Sequence, residues 1–169
     1  MSLDFSSIMT VVETRTAAFA EAELGLIPRR VDRTLCDLGA LSLRDVNALI
    51  TVGPRTGLYV IFSYDQALIA DMMRRYSPEL EDDEADIIHD AAREIVNVII
   101  GNCTADLAKA GETLTLSPPL SISDTKVVHW HRGSSYVVLS LAFDSGVLDV
   151  AFIGPRPLFD RVLNYFSKT

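Results

Sequence analysis

From about residue 5 to residue 24, apolar side chains recur every three or four positions: Ile8, Val11, Val12, Ala18, Phe19 and Ala22. That rhythm predicts a helix, and Gly25 and Pro28 stop it. Two strand-like runs follow, "NALITVG" and "LYVIFS" (58–63), separated by "PRTG". A short glycine-containing gap between such runs predicts a hairpin. Helical spacing returns in "YDQALIADMMRRY", with Pro78 just beyond it. A longer helix is predicted over about 82–109, ending at Gly111. Next, "TLTLSPPLSIS" is strand-like but broken by two prolines. The runs "TKVVHWHRG", "SYVVLSLAFDSG" and "LDVAFIG" predict three strands, and "RPLFDRVLNYF" a closing helix.

The two halves echo each other. Leu58, Val60 and Phe62 alternate along one strand, as Leu148, Val150 and Phe152 do along another. In the segments that follow, Leu68, Met73 and Tyr76 match Leu158, Leu163 and Phe166 at the same offset. The pattern predicts one domain over 1–169, built from a duplicated helix–strands–helix unit with halves of about 5–77 and 82–167. Few strand pairs are separated by crossover helices. The expected class is therefore α+β, an antiparallel sheet packed with helices.

The stretch "EIVNVIIGN" (94–102) is mostly aliphatic yet carries a carboxylate, two amides and a glycine. At about 100° per residue, Ile88, Ala91, Ala92, Ile95, Val98 and Ile99 gather on one side of the helix and are expected in the core. Asp90, Glu94, Asn97 and Gly101 gather opposite. Glu94 and Asn97, three apart, are neighbours on that face. Glycine inside a helix costs about 1 kcal/mol relative to alanine, so Gly101 needs a reason. Either it permits close packing within the chain, or it leaves clearance beside the two polar groups.

Composition narrows the function. The chain has 169 residues, 49% hydrophobic and 22% charged, as in an ordinary globular domain. A net charge of −8 argues against a nucleic-acid footprint. No apolar run has the length of a membrane span and no secretory pattern opens the chain, so a cytoplasmic location is expected. Cys36 and Cys103 are expected to be reduced structural thiols. The acidic run 79–86 suits a helix start. His129 and His131 flank Trp130 on one predicted strand; without a third ligand they are expected at a surface or an interface. His89 lies off the Glu94–Asn97 face, and Ser117, Ser121 and Ser123 read as turn chemistry. No metal site and no glycine-rich phosphate loop is expected.

"DAAREIVNVIIGN" followed by "LTLSPPLSIS" resembles the signature of the CheX/CheC family of chemotaxis phosphatases. That family carries an acidic residue, then Glu-x-x-Asn, then a glycine on a long exposed helix, and a strand with a Pro-Pro step. The matching positions are Asp90, Glu94, Asn97, Gly101 and Pro118–Pro119. The resemblance implies a CheC-like fold and a phosphatase acting on the phospho-aspartate of a CheY-like response regulator. It implies that Glu94 and Asn97 are catalytic: Glu94 pairs with the regulator's active-site lysine, and Asn97 holds the attacking water. Asp90 and Gly101 would contact the partner. Mg²⁺ would belong to the regulator, with no cofactor bound by this chain. CheC-like members often repeat Glu-x-x-Asn on the first helix, where this chain has Glu13 with Thr16 and Glu21 with Leu24. One site per chain is therefore expected, as in CheX, and with it a homodimer. The alternative is a non-catalytic module of the same fold that docks a regulator or a flagellar component.

Overall fold

The structure, a computed structural model, describes residues 5–36, 39–53, 57–79, 85–129 and 132–160. Helix α1 spans Phe5–Leu24, α2 Gln66–Tyr76 and α3 Ala85–Lys109. The strands are β1 (Arg30–Cys36), β2 (Ala40–Ser42), β3 (Val46–Val52), β4 (Leu58–Tyr64), β5 (Leu120–Ile122), β6 (Val127–His129), β7 (Ser134–Phe143) and β8 (Gly146–Pro155). Six of them form one sheet in the order β1-β7-β8-β4-β3-β5, with every pairing antiparallel. β2 and β6 form a separate two-stranded sheet. The α+β antiparallel architecture read from the sequence is the one observed.

Alternation along the strands sends side chains to both faces of the sheet. Val60, Phe62 and Tyr64 of β4 and Val150 and Phe152 of β8 join the helices in the main core. Ile61, Tyr136, Val138, Ala151 and Ile153 point the other way, where Leu41 and Leu43 cover them. The molecule thus has three layers: helices, the large sheet, and the β2–β6 ribbon. Phe5 anchors the start of α1, with its ring 4.5 Å from Phe159 and 5.8 Å from Phe152.

Several boundaries differ from the sequence reading. β1 and β2 lie in a stretch where no strand was expected. Tyr64 belongs to β4, not to the following helix, and the chain turns at Asp65, whose backbone carbonyl accepts from Leu68 and Ile69. The carboxylate of Asp65 accepts from Val147 N at 2.7 Å and from Arg44 at 2.7 Å, and Arg44 also holds Asp149 at 2.6 Å. A side chain at Gly146 would sit 2.9 Å from Asp65 Cβ, so only glycine fits this corner, which aims α2 back across the sheet. After β8 the chain forms a short 3-10 turn, Arg156–Leu158; the expected closing helix from residue 161 on, with Leu163 and Phe166, lies outside the described residues. The same is true of most of the acidic run, residues 80–84, and of Trp130 and His131.

Candidate functional site

Helix α3 is fixed in rotation by its apolar side. Ile88, Ala92, Ile95, Val96, Ile99, Ile100, Cys103 and Leu107 are buried, while Ala91 and Val98 are half-buried. Turning the helix far enough to bury Glu94 would carry several of these into water, at about 1.5–3 kcal/mol each. The helix ends at Gly111, where Gly111 N donates to Ala108 O and Glu112 N to Leu107 O, a closure that needs the positive φ of 83° seen there.

The opposite side carries the candidate residues. Asp90, Glu94, Asn97 and Gly101 are all exposed, on one stripe of α3. Asp90 forms an ion pair with Arg93, one turn along the same helix. Neither the Glu94 nor the Asn97 side chain makes a hydrogen bond or ion pair among the described residues, so both are free for a partner. A Cβ built on Gly101 would meet nothing within 4 Å, so close packing inside the chain does not explain this glycine. What remains is steric clearance one turn beyond Asn97.

The surroundings offer little reactive chemistry of their own. Arg15 of α1 reaches Asp106 of α3 at 2.5 Å, and this hydrogen bond holds the Asp106 carboxyl below its ordinary range. Burial pushes the Cys103 thiol up to about 12, so at neutral pH it stays protonated and unreactive. The side chain of Cys36 lies outside the described residues. His89 is half-buried with its ring 3.4 Å from Ser121 Oγ of β5, away from the polar stripe. His129 is exposed on β6. Among the described residues no group of three or more His, Cys, Asp or Glu is placed to hold a metal ion. No helix among them is long and apolar enough to cross a membrane. On α1, Glu13 is engaged by Arg33, and Thr16 and Leu24 are buried, so the first helix presents no counterpart of the stripe.

One feature escaped the sequence reading. Beside Asp90 and Glu94, a groove of about 320 Å³ opens between the end of α2 and the start of α3, walled by Met73, Tyr76, Ile87 and Ala91. The helical spacing of each wall was legible, but not which faces of the two helices meet.

An antiparallel sheet backed by helices, with an exposed carboxylate and amide on α3, is the architecture of a protein of the CheC-like fold. The chain belongs to the CheX family: the model of that family, described as chemotaxis phosphatase CheX, matches residues 46–141. No curated protein sequence matches the chain. Among solved structures, it is similar to the chemotaxis protein CheX from Desulfovibrio desulfuricans, at 17% identity and a TM-score of 0.72, covering 86% of this chain and 97% of that one. CheX from Vibrio vulnificus matches at 18% identity and a TM-score of 0.68, over 86% and 97% of the respective chains. The CheX–CheY–BeF3–Mg²⁺ complex from Borrelia burgdorferi matches at 15% identity and a TM-score of 0.62, over 91% and 99%. At such identities these likenesses speak for the fold.

Proposed function

We propose that this protein hydrolyses the phospho-aspartate of a CheY-like response regulator. The observation that carries the reading is the exposed pair of unpartnered side chains, Glu94 and Asn97, on the long helix α3, with open space at Gly101. Family membership and the Borrelia burgdorferi complex of a CheX with CheY support it.

In this reading α3 lies across the regulator's active site. Glu94 pairs with a regulator lysine and fixes the docking register. Asn97 enters the pocket, where its amide both accepts from and donates to one water. Held in line, that water attacks phosphorus, the bond between phosphorus and the aspartyl oxygen breaks, and inorganic phosphate leaves a free carboxylate behind. Little covalent chemistry is asked of the protein, since such transfers depend mostly on positioning and charge stabilisation. An amide suits the task because it orients a nucleophile without competing for its proton. Asp90, through Arg93, and Gly101 shape the contact surface. Mg²⁺ is supplied by the regulator and this chain binds no cofactor of its own.

The wider reading is a cytoplasmic homodimer of a single domain built from two repeated halves, about 5–77 and 82–167. The sheet order supports the repeat: β4 and β8 lie side by side at its centre, flanked by β3 and β7, with β5 and β1 outermost.

The test is single-turnover decay of a phospho-regulator at saturating protein. Wild type should accelerate phosphate release, and Asn97→Ala should slow it about 100-fold or more, if positioning supplies several kcal/mol. An Asn97→Ala protein that matches wild type leaves the non-catalytic docking module as the better reading.

A further inference from the structure

We infer that the groove between α2 and α3 is a second recognition pocket, receiving an apolar side chain of the response regulator that lies next to the cation met by Glu94. This rests on the proposed function and adds to it a determinant of partner choice.

The groove is continuous with the polar stripe, because Glu94 belongs to both. Its walls are apolar: Met73 is fully buried, while Ile87 and Ala91 are half-buried and Tyr76 is 36% exposed, its ring packed on Phe19. Its rim is acidic, formed by the free Glu94 and by Asp90, whose charge is shared with Arg93. An apolar floor under an acidic rim selects an apolar side chain beside a cation.

Other occupants fit less well. An anionic lipid headgroup would meet carboxylates. A second copy of the chain would bring a net charge of −8 towards an acidic rim. The regulator, by contrast, brings the lysine that Glu94 is proposed to bind. Along α3 the order is groove, Glu94, Asn97, and the last two are about 4.5 Å apart along the axis. The apolar residue therefore lies on the far side of the regulator's lysine from the phosphoryl group.

The probe is a CheY-like regulator held in its phosphorylated-like state by beryllofluoride and Mg²⁺, titrated calorimetrically. Ala91→Leu keeps a good helix former but fills the groove with an isobutyl group. Ile87→Ser removes an apolar wall and serves as an independent variant should Ala91→Leu fail to fold. Each variant that melts cooperatively should bind the regulator about tenfold or more weakly than wild type. Wild-type affinity in both overturns the groove assignment and leaves the phosphatase reading standing. Loss of self-association in sedimentation, with regulator affinity unchanged, assigns the groove to a second copy and also overturns it. If the wild-type protein neither binds the regulator nor releases its phosphate, the groove assignment and the phosphatase reading fall together.

Discussion

Replacing Gly101 by alanine separates what the helix wants from what the surface needs. Gly101 is exposed inside α3, and an added Cβ would touch nothing within 4 Å. For the isolated protein the change removes only the conformational penalty of glycine, about 0.5–1 kcal/mol. In a chain of this size that raises the melting temperature by about 1–4 °C. For the complex the sign reverses. If the regulator's backbone approaches α3 at this point, a methyl group there meets a packed surface, and such overpacking costs about 1–3 kcal/mol. The expected result is a more stable protein that binds the beryllofluoride-loaded regulator about fivefold to more than a hundredfold more weakly. Thermal melting followed by far-UV circular dichroism gives the first number, and calorimetric titration the second. A lower melting temperature would refute the view that the glycine serves no packing role within the chain. A higher one with unchanged affinity would refute close approach of a partner at this turn.

Other outcomes follow from the same geometry. Glu94→Ala should weaken regulator binding and flatten its dependence on salt, with little change in melting, because the side chain is exposed and unpaired; undiminished affinity would remove its assigned role. Phe62→Ala, at a fully buried position of the central strand β4, should cost about 3–5 kcal/mol in urea unfolding, and a loss under 1 kcal/mol would contradict the packing described. Cys103 ties stability to alkaline pH. Its folded value of about 12 lies above the ordinary value of 9.0, so the stabilisation is complete below the latter and declines as pH rises towards the former; Cys103→Ala should flatten that decline in urea midpoints measured across the interval. The proposed homodimer should sediment as a dimer at micromolar concentration, and a monomer throughout would remove that proposal.

The candidate site was legible because it lies on one helix. Glu94 and Asn97 are neighbours through spacing alone, and the apolar residues between them declare which side is buried. Long-range pairing decided what was hidden. β1 reads "RVDRTLC", with charges at Arg30, Asp32 and Arg33 that blur any alternation. It is an edge strand with exposed Val31, and charges are tolerated, even useful, on an edge. It becomes a strand because β7 pairs with it, and Arg33 turns to Glu13 of α1, with Nε at 3.1 Å. Tyr64 suited either a strand end or a helix start by its own properties; pairing with Val46 decides for β4. The groove was hidden for a related reason, since its walls come from two helices whose mutual orientation no single-segment pattern carries.

The order of the large sheet also governs how the chain can be divided. β1, from the first half, is seated on β7 of the second, and β5, from the second, on β3 of the first. Each half therefore lends its outer strand to the other. A fragment ending near residue 77 would keep β3 and β4 but strand β1 without a partner, and the fragment beginning near residue 85 would leave β5 equally orphaned. Expressed alone, each would present bare strand edges and aggregate. Expressed together, they have every reason to find each other, and a chain nicked between α2 and α3 should survive as a tight two-piece complex.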